Sequence, residues 1–156
     1  MSESPVVADA SSLIALNQID RLDILQRLWS TIVVPPAVAS EIARSVDRPD
    51  WIVVIPLERA IEDDILTAVL GPGETEAIGL TRELNANRVV LDDRKARRFA
   101  QRTGLPVIGT LGALRAAKRQ GILSEIRPDV EKLLQIGFHL SLEVVDRVLA
   151  DVDEGH

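Results

Sequence analysis

The chain predicts an α/β fold built on a parallel sheet covered by helices, and three observations lead there. Short runs rich in Val and Ile alternate with longer segments of helical period, the signature of strands and helices taking turns along the chain. The Val and Ile runs are mostly continuous rather than alternating with polar residues, as in strands buried on both faces. With 156 residues, 46% of them apolar, the chain is large enough to bury a core without a disulfide or a structural metal.

Strands are expected at Val6 to Asp9, Thr31 to Val34, Trp51 to Ile55, Arg88 to Asp92 and Pro106 to Ile108. Helices fill the intervals: Ser12 to about Gln18, Asp20 to Leu28, Pro36 to Arg44, Arg59 to Leu70, Gly73 to Asn85, Arg94 to Arg102 and Leu111 to Gln120. Local punctuation supports several starts, since Pro36 suits a first helical turn, Asp20 is a capping residue type and Thr110 precedes a run of Ala and Leu. From Ser124 onward no strand signal follows. Leu133, Leu134 and Ile136 mark one apolar stripe and Val144, Val145, Val148 and Leu149 another, with Gly137 between them. Two closing helices over 124–152 are therefore expected, within a single domain spanning 1–156, because no repeat or low-complexity linker divides the text.

Composition narrows the function. The net charge of −6 has the wrong sign for a protein that holds nucleic acid by bulk electrostatics. It suits a protein that gathers carboxylates around divalent cations, which then supply the local positive charge. The absence of cysteine removes disulfide frameworks, thiolate metal sites and cysteine nucleophiles, and fits a cytoplasmic location. The opening MSESPVVADASSL has no basic region followed by a long apolar stretch, and no window is apolar enough for a membrane span.

Open parallel sheets bind ligands at the carboxyl ends of their strands, and acids at four such places qualify for one site. Asp9 closes the first strand in VVADASS. Glu41 lies in the helix of VVPPAVASEIA, after the second strand. Glu74 and Glu76 open the helix of GPGETEAIGL, and Asp92 and Asp93 end the strand of RVVLDD. Mg²⁺ requires hard oxygen ligands, and nuclease sites with two metals clamp the attacking and leaving oxygens of an in-line displacement, so several converging carboxylates meet the chemical need. Taken singly, each acid also reads as a helix cap, a turn former or a solvated helix residue. Helical period leaves Glu74 and Glu76 unseparated, since both border the stripe of Ala77, Leu80 and Leu84. There is no GxxxxGKS phosphate loop, no HExxH and no GxSxG, and His139 and His156 lie far from the acids along the chain.

On these residues the sequence resembles the PIN-domain family, in particular the short prokaryotic branch related to the toxin ribonucleases of VapBC-type toxin and antitoxin pairs. The resemblance covers nearly the whole chain and is carried by VVADASSLIAL, VVPPAVASEIA, GPGETEAIGL, VVLDDRKARRFA and GLPVIGTLGAL in this order, with GFHLSLEVVDRVL in the tail. It implies a three-layer α/β/α fold with a central parallel sheet and C-terminal helices, and hydrolysis of RNA phosphodiester bonds with Mg²⁺ or Mn²⁺. The metal-binding and catalytic acids then fall on Asp9, Glu41, Glu76 and the Asp92 and Asp93 pair, with Asp93 the better match. Ser11 matches the small polar residue that supports the first Asp, and Glu74 stands as a supporting acid beside Glu76. Where many toxins have Thr, Asn, Asp around the last acid, this chain has Leu91, Asp92, Asp93. The resemblance further implies an antitoxin protein filling the active groove, and a homodimer.

The cluster Arg94, Lys95, Arg97 and Arg98 begins beside the acids and is placed to meet an RNA backbone, although the same charges suit a solvated helix face. Two other classes compete with the ribonuclease. A PIN-like fold without catalysis would act as a binding module, but a decayed site would be expected to have lost at least one acid. A receiver-like signalling domain would want its acidic pair near the first strand and a Lys after the last, and neither is found.

Overall fold

The computed structural model describes residues 5–59 and 68–155. Five parallel strands form the sheet: β1 (Val6–Ala8), β2 (Ile32–Val34), β3 (Ile52–Val54), β4 (Arg88–Val90) and β5 (Val107–Ile108), in the order β3-β2-β1-β4-β5. Val6 and Val7 register against Ile32 and Val33 on one side and against Arg88 and Val89 on the other. The chain steps outward from β1 to β2 to β3, then crosses back to begin β4 on the opposite side of β1. The crevice between the carboxyl ends of β1 and β4 is therefore the topological switch point of the sheet.

Among the described residues there are eight helices: α1 (Ala10–Gln18), α2 (Asp23–Trp29), α3 (Pro36–Ile42), α4 (Pro72–Leu84), α5 (Arg94–Arg102), α6 (Thr110–Arg119), α7 (Arg127–Gln135) and α8 (Leu142–Asp151). Most of the helix expected over Arg59 to Leu70 lies outside the described residues. Every side chain of β1 and β2 is buried, which explains why their sequence does not alternate. Val6, Ala8 and Val90 point into one apolar cluster with Leu13, Leu25, Val38, Leu114 and the closing-helix residues Val130, Leu133, Val145 and Leu149. Val7, Val89 and Leu91 point the other way, onto Ala77, Ile78 and Leu80 of α4 and Ala96 and Ala100 of α5. The result is three layers, α/β/α.

Helix starts follow from local chemistry with two corrections, one of them at Thr110, which is the first residue of α6 with Gly109 at its cap position. Pro36 takes the first position of α3, and Pro72 that of α4, where the missing N–H costs nothing. Asp20, expected to cap α2, instead has φ 58° in the turn after α1, and Leu22 occupies the cap position of a helix that begins at Asp23. Asp tolerates the left-handed region better than most residues, and here its value is in turning the chain. The C-terminus is fastened as well. Glu154 accepts hydrogen bonds from the backbone N–H groups of Ile126 and Arg127 and pairs with Lys118 of α6 at 2.8 Å. Among the described residues, no helix is long and apolar enough to cross a membrane.

Candidate active site

Asp9 lies at the bottom of the switch-point crevice. Its backbone N–H donates to the Val90 carbonyl at 3.0 Å, which extends the β1 to β4 ladder by one residue and turns the side chain inward as α1 begins. The residue is 4% exposed, and Oδ1 is buried without a hydrogen-bond partner among the described residues. Burial pushes this carboxyl up to about 6, opposed by a hydrogen bond from the Ala10 N–H and reinforced by the charges of Glu41, Asp92 and Asp93. Those three acids come from α3 and from the end of β4, so elements distant in sequence converge on Asp9.

Glu74, in the first turn of α4, joins the same cluster. Burial raises its carboxyl to about 7, helped by the charges of Asp9 and Asp93, a side-chain hydrogen bond with Asp93 and the charge of Glu41. Its Oε2 is the second buried carboxylate oxygen in the cluster without a partner. Glu41 is exposed on α3, yet its carboxylate rests over Gly73, with Cδ 2.9 Å from where a Cβ on that glycine would stand. The missing Cβ of glycine leaves the space that the Glu41 carboxylate occupies.

The two adjacent aspartates have different surroundings. Asp93 is exposed and caps α5, its Oδ2 accepting from Ala96 N–H at 2.9 Å. Asp92 is a clasp: Oδ2 accepts from Ser12 Oγ at 2.5 Å and Thr110 Oγ1 at 2.6 Å, while Oδ1 accepts from Thr110 N–H at 2.9 Å. It thereby ties β4 to the starts of α1 and α6. Glu76, two residues beyond Glu74 and so on a different face of α4, accepts from Ala37 N–H at 3.0 Å at the start of α3.

Ser11 is exposed, and the hydroxyl drawn into the cluster is that of buried Ser12. Neither Ser12 nor Thr110 was singled out from the sequence for the site, since bonds spanning 80 and 18 residues leave no local pattern. Of the basic cluster on α5, Arg94, Lys95 and Arg98 are exposed. Arg97 is half-buried, its guanidinium lying against Gly109 beside Asp92, so that a Cβ at residue 109 would stand 2.5 Å from Arg97 Nη1 and 2.9 Å from Asp92 Oδ1. A cation thus borders the acids on the α5 side.

The donor set suits a hard divalent cation: all are carboxylate oxygens, and two of them are buried and unpartnered. An unsatisfied buried acceptor costs on the order of 1–3 kcal/mol, a cost that a cation would remove. Among the described residues no three Asp, Glu or His side chains stand close enough together to hold a metal ion between them as placed. Hard divalent cations can be held by as few as one or two carboxylates, with waters and substrate phosphate oxygens completing the coordination.

A parallel three-layer sheet protein with an acidic cluster at its switch point is the class that this geometry defines. A family model described as a PIN domain matches residues 5–154, and the chain belongs to the PIN-domain family. PIN domains are in general nucleases, typically dependent on divalent metal ions. No curated protein and no solved structure matches the chain.

Proposed function

We propose that this PIN domain is an endoribonuclease dependent on Mg²⁺ or Mn²⁺, and that the chain from end to end forms this one domain. The observation that carries the reading is the convergence of Asp9, Glu41, Glu74 and Asp93 on one crevice, with buried carboxylate oxygens left without partners. Asp9 and Asp93 would hold a cation from the ends of adjacent strands, and Glu41 and Glu74 from the facing helices. When bound, the metal supplies positive charge for the phosphate and lowers the pKa of water. Asp9 anchors the floor of the site because its backbone belongs to the β1 to β4 ladder. Asp92 keeps the wall rigid by holding Ser12 and Thr110, and this use of its oxygens favours Asp93 as the ligand of the pair. Arg97, with Arg94, Lys95 and Arg98 outside it, is placed to hold the RNA backbone at the rim.

The order and spacing of the motifs shared with the short prokaryotic toxin ribonucleases support a toxin role in the cytoplasm, or that of a related orphan, with an antitoxin and a second copy of the chain as partners. The test is cleavage of a mixed set of structured and single-stranded RNAs with Mg²⁺, Mn²⁺ or EDTA, beside Asp9→Asn and Asp93→Asn. Cutting that needs metal and disappears in both variants is expected. Equal cutting in all samples would indicate contamination, and none with any RNA or metal would favour a binding module.

A further inference from the structure

Helix α3 begins in an unusual way. Its cap position and its first residue are both proline, Pro35 and Pro36, and no side chain caps it locally. Neither proline has an N–H, so the first free donor of the helix is Ala37 N–H, and it needs an acceptor from elsewhere. Glu76 supplies it from α4, with Oε1 at 3.0 Å.

The same two helices meet at a second point. Glu41 lies four residues beyond Ala37, one turn along the same face of α3, and Gly73 lies three residues before Glu76 on the same face of α4. Glu41 rests on Gly73. The pairs Ala37 with Glu76 and Glu41 with Gly73 are two rungs between antiparallel helices, separated by about 6 Å along α3 and about 4.5 Å along α4 at the usual helical rise. The first rung is a hydrogen bond to a charged group at a helix N-terminus, which is directional and favoured by the helix dipole. The second is a close approach of the Glu41 carboxylate to Gly73, into space that a Cβ would fill.

From these two rungs we infer that Glu76 is a positioning residue: by capping α3 through Ala37 it sets the α3 to α4 register that keeps the Glu41 carboxylate in the acidic cluster. The inference rests on reading that cluster as a cation site, and it gives Glu76 a role other than ligand.

The test is Mn²⁺ affinity of the full chain, followed by the free-ion electron paramagnetic resonance signal, for wild type, Glu76→Gln, Glu76→Ala and Glu74→Gln, with thermal unfolding as a check on folding. Gln keeps an oxygen that accepts from Ala37 N–H but carries no charge. Glu76→Gln is expected to bind within about threefold of wild type, and Glu76→Ala and Glu74→Gln at least about tenfold more weakly, a difference of about 1.4 kcal/mol. If Glu76→Gln binds as weakly as Glu76→Ala, Glu76 is a ligand and the inference falls; wild-type affinity in Glu76→Ala also overturns it. Should the alanine variant fail to fold, Glu76→Asp, one methylene too short for the cap, is read in its place. A wild type that binds no Mn²⁺ removes the metal-site reading itself, an outcome distinct from either failure of the positioning role.

Discussion

The carboxylate of Glu41 lies over Gly73, its Cδ 2.9 Å from the place a Cβ on that glycine would occupy. Gly73 is the second residue of α4, where alanine would ordinarily add up to about 1 kcal/mol of helix stability. The obstructed group is the far end of a flexible side chain, so the fold can accept Gly73→Ala while Glu41 is pushed out of the cluster. RNA cleavage should fall by about 10- to 100-fold, as for a displacement of roughly 1 Å in a catalytic group, with the melting temperature unchanged or slightly raised. Loss of stability in step with loss of activity would show that the contact serves packing instead.

The acids also set how stability depends on pH. Asp9 rises from 3.8 to about 6 on folding and Glu74 from 4.5 to about 7, so between these values the folded chain binds more protons than the unfolded one. Stability is then greatest below about pH 4 as far as these groups are concerned, and it falls as pH climbs through about 4 to 7. Thermal unfolding in EDTA should show this decline. Asp9→Asn, neutral at every pH, should remove the Asp9 part of the decline, leaving that of Glu74, and be more stable than wild type at pH 8 by about 3 kcal/mol, given about 1.4 kcal/mol per pKa unit over the rise from 3.8 to about 6. A variant less stable than wild type at pH 8 would count against repulsion and burial as the cause.

Asp92 offers a contrast within one residue pair. Its carboxylate takes three hydrogen bonds from Ser12 and Thr110, and removing it leaves buried hydroxyls without an acceptor. Asp92→Ala should cost about 2–4 kcal/mol, whereas Asp92→Asn should cost less than half of that because hydroxyl protons can turn toward the remaining partners. Urea denaturation of the two variants distinguishes them, and equal losses would argue against the clasp.

At the other end of the molecule, burial raises the Glu154 carboxyl, but Lys118 and the N–H groups of Arg127 and Ile126 outweigh it and hold the group below its usual range. A lowered carboxyl contributes stability above its unfolded pKa and loses it as pH falls through the folded one, below about 4.5. Glu154→Gln should therefore lower the melting temperature at pH 7, by an amount that shrinks as pH falls below about 4.5. A constant difference across that range would contradict the charge contribution.

The sheet was readable because Val and Ile runs are needed wherever strands are covered on both faces, and the bounds expected for α5, Arg94 to Arg102, are those observed. The expected strands are longer than the observed ones, since residues such as Asp92 continue the chain beyond the paired residues of the ladder. Periodicity left Glu74 and Glu76 together because it reports position relative to the apolar stripe. What separates them is the partner opposite each: the Asp9 and Asp93 carboxylates for Glu74, the Ala37 N–H for Glu76. The tasks of Ser12, Thr110, Gly73 and Gly109 were hidden for a related reason, being contacts made across the fold by small residues that are common in any helix or turn.

The metal site is tested most directly by Mn²⁺ binding, measured by isothermal titration calorimetry at pH 7.5, without RNA, for wild type, Asp9→Asn and Glu74→Gln, in two buffers of different ionisation enthalpy. Saturable binding is expected in wild type, with a buffer-dependent heat that reports proton release from the raised Glu74 carboxyl, and much weaker binding in both variants. Undiminished binding in the variants, or no binding by the wild-type chain, would contradict the claim that these carboxylates form the metal site of a nuclease.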